Sequence, residues 1–154
     1  MDKAKSKDFK SYLKQLEDLL SEYLVKKAPA LPANIKEAIV NFAPWVTLVV
    51  LILTLPIVLA VFGLGAFFAP FSFLGGITAG TNYLLTILFS GVQLVLEAMA
   101  IPGLFKKSRA AWNLVFYAAL VGAVQNIVTF NLGGLLIGTL LSLYILFQVR
   151  EYYK

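Results

Sequence analysis

The residues best suited to chemistry lie where charge is scarcest. Glu97 is the only charged residue between Glu37 and Lys106. It ends a polar series, Thr78, Asn82, Thr86, Ser90, Gln93 and Glu97, whose steps of three and four hold one face of a helix. Further amides and hydroxyls stand at Asn113, Tyr117, Gln125, Asn126 and Thr129, at Thr47 and Thr54, and at Thr139 and Ser142. Polar side chains in an apolar medium need partners, so these faces are predicted to meet. Two uses compete for them. A hydrated path or substrate pocket would use Glu97 as its one ionisable group, since an acid inside a membrane segment flags function. Structural hydrogen bonds, at about 1 kcal/mol each, would instead fix helix register. Glu97 also lies close enough in sequence to Lys106, Lys107 and Arg109 to pair with one of them.

Composition excludes most other chemistry. The chain has no Cys and no His, which removes thiol nucleophiles, imidazole bases, zinc sites and the usual haem ligands. No glycine-rich phosphate loop and no GxSxG elbow occurs. The expectation is a non-enzymatic protein with no catalytic residues, no metal and no cofactor.

The elements that must position these residues follow from hydropathy. Of 154 residues, 60% are hydrophobic and 14% charged, with a mean hydropathy of +0.83. Soluble domains run near 45–50% and 25%. No charged residue falls between Glu37 and Glu97, or between Arg109 and Arg150. A soluble domain of this size leaves too much surface exposed to hide such runs. The chain reads as an all-α integral membrane protein.

At about 20 residues per crossing, the two uncharged runs predict four spans, at 44–63, 77–100, 111–129 and 134–149. Gly63-Leu64-Gly65 is read as closing the first, and Asn131-Leu132-Gly133-Gly134 as the turn between the third and fourth. Pro56 is tolerated within the first. The segment 63–76, rich in Phe and small residues, reads as an interfacial loop or a re-entrant half-helix. Basic residues cluster before span one (Lys26, Lys27, Lys36), between spans two and three (Lys106, Lys107, Arg109) and after span four (Arg150, Lys154). Cytoplasmic loops are enriched in Lys and Arg, and only an even count puts all three on one side. Both termini are therefore expected in the cytoplasm, in a bacterial plasma membrane.

Residues 1–34 form a separate unit, followed by the membrane domain at 35–154. Phe9, Tyr12, Leu13, Leu16, Leu19, Leu20, Tyr23 and Leu24 draw one apolar stripe on a helix over 7–27. Lys14–Asp18 and Glu22–Lys26 are predicted i,i+4 pairs. Ala28-Pro29-Ala30-Leu31-Pro32 ends the helix, and Asn34 with Glu37 is read as capping the next. The stripe suits the membrane surface, a second copy or another protein.

Two segments align without gaps, LGGITAGTNYLLTILF from Leu74 and LGGLLIGTLLSLYILF from Leu132. Trp45 and Trp112 stand at the starts of spans one and three. The pattern suggests two tandem hairpins, set against chance matching of apolar sequence. Gly76, Gly80, Gly134 and Gly138 fall within it at the spacing that lets helices pack closely.

The stretches IPGLFKKSRAAWNLVFYAAL and LLSLYILFQVREYYK resemble the C-terminal parts of small bacterial integral membrane proteins of uncharacterised role. Trp112, Phe116, Tyr117, Phe147, Gln148, Arg150, Tyr152 and Tyr153 carry the likeness, which implies no activity. The leading functional expectation is a scaffold or accessory subunit, acting through helix packing and its cytoplasmic helix. The alternative is a small oligomeric transporter or channel whose polar path ends at Glu97. A third is binding of anionic lipid through Lys106, Lys107 and Arg109, given the net charge of +5. The expected partners are thus the bilayer, further copies or other membrane subunits, and not nucleic acid.

Overall fold

A computed structural model describes residues 2–154, with side chains described from Asp8 onward except at Ala66. The described residues are predominantly helical, without strands. Helix α1 spans Asp2–Ser21 and runs on as a π-helical turn, Glu22–Lys27. Helix α2 spans Ala33–Ser72, α3 Ile77–Phe105 and α4 Arg109–Val128. A π-helical segment, Gly134–Thr139, leads into α5, Leu140–Gln148. Three helices are long and apolar enough to cross a membrane: Ala33–Gly65 within α2, α3 and α4. They mark the chain as an integral membrane protein. The fourth apolar helix, Gly134–Gln148, is shorter, about 22 Å at 1.5 Å per residue.

Several expected boundaries move. Helix α2 does not end at Gly63-Leu64-Gly65 but continues through Pro70 to Ser72. Glycine lowers helix propensity, yet an apolar segment has no alternative to internal hydrogen bonding. Most of 63–76 is therefore neither loop nor re-entrant. The reversal falls at Phe73–Gly75, a 3₁₀ turn, and Gly76, whose φ is 100°. Asn34 does not cap α2: the first turn begins at Ala33, and the Pro32 carbonyl accepts from Ile35 and Lys36. The turn after α4 comes early, with Phe130 taking the positive φ. Asn131 then caps the next helix, its Oδ1 accepting from the Gly134 N–H at 3.0 Å. Glu22 pairs with Lys27 at 3.3 Å rather than with Lys26. A π-helical turn hydrogen-bonds at i,i+5, so the fifth residue along stacks above the first.

Gly76 sits at φ 100°, ψ 163°, a region open essentially to glycine alone. A Cβ there would meet nothing within 4 Å, so strain is the only penalty. Gly76→Ala is expected to cost about 1–3 kcal/mol, read as a lowered SDS midpoint in mixed micelles. Gly75→Ala has no such φ and crowds only Ala79, so it should cost less. Equal costs would show that the turn conformation is not what matters.

The core sits at one end. Ala100 and Leu104 of α3, Ala111, Trp112 and Phe116 of α4, Leu143 and Phe147 of α5, and Val40, Val149 and Tyr153 are buried together. Trp112 stacks on Phe116 with centroids 5.4 Å apart and meets Phe147 edge-on at 5.3 Å. Its indole N–H donates to the Leu146 carbonyl at 2.9 Å. The C-terminus closes the same end: the Arg109 N–H donates to the Lys154 carbonyl, and the Lys154 N–H to that of Lys107.

Helix α2 packs chiefly on α3, with Phe62 seated over Gly91 and Tyr83 over Gly65. Close approach at glycine is how membrane helices gain dispersion contacts when burial itself gains nothing against lipid. The rest of α2 presents apolar side chains outward, among them Ile52, Leu53, Ile57 and Leu59.

The two aligned segments differ in local structure. Gly76 is a turn and Gly134 lies within the π-helical segment. Gly80 is covered by the Phe73 ring, whereas a Cβ on Gly138 would meet nothing. Trp45 is 57% exposed and Trp112 fully buried.

Candidate functional site

The expected polar face divides. Thr78 and Thr86 are exposed, Asn82 and Ser90 half-buried, and only Gln93 and Glu97 line a cavity. That cavity, about 330 Å³, lies between α3, α4 and the last helix. Gln93 and Glu97 face Asn126 of α4, Thr139 and Ser142 across it, and Ala118, Ala119, Gly122, Gly134 and Gly138 form the rest of its wall. Gly138 and Ser142 are exposed, so the cavity opens on the outside of the bundle. Val115 and Ser142 also border an apolar cleft of about 380 Å³ reaching Ile39, Ala43 and Thr47 of α2.

Its geometry rests on two side-chain pairs. The Gln93 Nε2 donates to Gln125 Oε1 at 2.7 Å, linking α3 to α4. Gly122 makes room, since a Cβ there would come within 3.3 Å of Gln93 Oε1. The Asn126 Nδ2 donates to Thr139 Oγ1 at 3.2 Å, tying α4 to the π-helical segment. A side chain at Gly134 would collide with both Asn126 and Asn131. Gly134 is thus small for the sake of two amides rather than for a helix backbone.

Other polar residues stay within their own helices. Thr47 donates to the Ala43 carbonyl, Thr54 to Val50 and Thr129 to Gln125. A hydroxyl in an apolar helix satisfies itself on the preceding turn without needing a neighbour, so its presence does not locate an interface. The pairing proposed from sequence for Glu97 is also replaced. Among the described residues, its carboxylate bridges none of Lys106, Lys107 or Arg109. Lys107 donates to Asn41 Oδ1 at 2.9 Å, and Arg109 turns to Glu17.

A second polar cluster, at the charged end, was not legible in the sequence. Arg109 and Arg150 both donate to Glu17 Oε1 of α1, Arg109 at 2.8 Å. Gln148, 2% exposed, accepts from the Leu31 N–H at 3.2 Å and donates to the Leu24 carbonyl at 2.8 Å. Tyr144 donates to the Pro29 carbonyl, and Lys36 bridges Glu151 at 3.0 Å. Beside them, burial pushes the Tyr153 phenol up.

These contacts split the amphipathic stripe. Leu20 and Leu24 pack against the core, while Phe9, Tyr12, Leu16, Leu19 and Tyr23 remain exposed along the adjoining edge. Lys106, Lys107 and Lys154 gather with Glu151 and Tyr152 around an open surface depression, apart from Arg109.

Comparison with protein-family models, with curated proteins and with solved structures finds no match to this chain.

Proposed function

We propose that the chain is a non-enzymatic membrane scaffold or accessory subunit that associates with a second copy of itself through the cavity-bearing face. It would span the membrane four times, with both termini in the cytoplasm of a bacterial cell. The ion pairs and backbone bonds joining Glu17, Lys36, Lys107, Arg109, Glu151 and Lys154 at one end support that topology. If those groups share one side, the short Gly134–Gln148 helix is the fourth crossing, tilted little or set where the bilayer thins.

The observation that carries the reading is a polar notch, walled by Gly and Ala, that opens on the outside of an apolar bundle. Polar atoms facing lipid are costly, and small residues allow a second helix close approach. Amides both donate and accept, so Gln93 and Asn126 can serve a self-complementary interface. The chain contains no cysteine, so an introduced one is unique. A Ser142→Cys chain should form disulfide-linked dimers in nanodiscs, and adding Gly138→Leu should abolish them. A strictly monomeric parent would sink the reading.

The position of Glu97 on the same cavity favours a second reading, a small transporter or channel. There Glu97→Gln would abolish flux in proteoliposomes with the helical content intact. Unchanged flux, or none from the parent, excludes it.

A further inference from the structure

We infer that Arg109 and Arg150 form a binding site for a phosphate-bearing anion, and that Glu17 of α1 occupies it as an intramolecular stand-in. The two guanidiniums converge on one carboxylate oxygen. One negative charge thus answers two positive ones, through a single acceptor atom. A phosphate group offers several acceptor oxygens, and each planar guanidinium fork can engage its own pair.

The arginines are held by the bundle rather than by α1. Arg109 lies over the Trp112 ring at 4.3 Å, and Arg150 over Trp112 at 5.3 Å and Phe147 at 5.8 Å. Both rings are buried, and cation–π contact fixes a guanidinium above a ring face without any help from a carboxylate. The pair therefore keeps its place when α1 leaves.

Room for a ligand already exists. A cavity of about 360 Å³ is lined by Arg109, Arg150, Gln148 and Tyr153, with Lys36 and Glu151 paired to each other at its edge. Its remaining wall includes Ser21 and Val25 from the N-terminal helix, so displacing that helix widens the site. Over Asp2–Ser21 the released helix carries five Lys against Asp2, Asp8, Glu17 and Asp18, a net charge of +1, and its exposed apolar edge at Phe9, Tyr12, Leu16 and Leu19 suits the membrane surface. Anion binding at the arginines and release of α1 then reinforce each other, and the helix acts as a latch. The phosphate could come from a lipid headgroup or from solution.

The full chain in phosphatidylcholine nanodiscs provides the test, with phosphatidic acid included in one arm and inorganic phosphate titrated in the other. Glu17→Gln removes the competing charge and is expected to raise affinity about tenfold in the arm that holds the true source. Arg109→Lys with Arg150→Lys keeps the charge, loses the forks and should cancel that gain. An increase with phosphatidic acid alone assigns a headgroup, and one with inorganic phosphate alone a soluble anion. No increase in either arm, or an increase that survives both lysine substitutions, overturns the proposal. The native Glu17 offers an independent check through spin labels at Lys14→Cys and Lys106→Cys. Their separation should lengthen when the effective phosphate source is added, and constancy under both sources also overturns it.

Discussion

Trp112→Ala is expected to destabilise the chain by about 3 kcal/mol or more, the largest effect of any single substitution considered. The side chain is fully buried and touches three kinds of partner. It stacks on Phe116, meets Phe147 edge-on and lies beneath the guanidiniums of Arg109 and Arg150. Against lipid, moving apolar surface inward gains little, so the lost dispersion contacts and the cavity left behind carry most of the penalty. The lost indole bond to the Leu146 carbonyl adds about 1 kcal/mol. Trp112→Phe keeps one ring in the cluster while losing the indole bond and part of the packing, so it should cost less than Trp112→Ala. SDS titration in mixed micelles, followed by helical circular dichroism, measures both. A Trp112→Ala chain within 1 kcal/mol of the Phe variant would show that the aromatic cluster does not hold the helices together.

The second large effect belongs to Gln148→Leu. Leucine is shorter than glutamine by one carbon but of similar bulk, so most packing persists while every amide bond is lost. The Leu31 N–H and the Leu24 carbonyl each lose a partner, with the longer contact to the Pro29 carbonyl lost as well. Stranding such groups costs about 1–3 kcal/mol. The penalty falls on the link between α1 and α2, because the aromatic core keeps its own contacts. Amide exchange across 22–31 should therefore accelerate about 30-fold, with exchange in α4 unchanged. Acceleration spread equally over α4 would mean that Gln148 supports the whole bundle rather than the docking of α1.

The two substitutions probe one end of the molecule from its two sides. Trp112 sets the aromatic floor on which the arginines lie, and Gln148 holds the linker that brings Glu17 to them. Loosening the linker should also favour release of the helix, whereas removing the floor should displace the arginines themselves.

Much of the fold was legible because it follows from local rules. Apolar runs marked the helices, and Gly75-Gly76 and the proline pair Pro29 and Pro32 marked real breaks. Gly63 and Gly65 misled, because glycine ends a helix only where the chain has somewhere better to place its hydrogen bonds. In α2 Gly65 instead makes room for Tyr83, while Gly63 faces open space.

The candidate sites were less legible. A threonine that bonds its own helix, as Thr129 does, and one that bonds a neighbour look alike in sequence, so nothing there marked Thr139 as the partner of Asn126. The spacing of Gln93 and Glu97 placed them on one face, but nothing local to them named Gln125, Asn126 or Gly122 across the gap.

By itself, the sequence determined that this chain is helical and apolar, that its charges gather in a few short segments, and that its first helix is amphipathic. Composition and periodicity depend only on near neighbours, and they suffice for those conclusions. Only the tertiary structure decided that α1 docks by one edge of its stripe, and that Glu17 meets Arg109 and Arg150 across most of the chain. It also decided which few polar residues share a cavity. Those are contacts between distant segments, set by how close two helices can approach, and the governing residues are often glycine and alanine, whose role is to leave space.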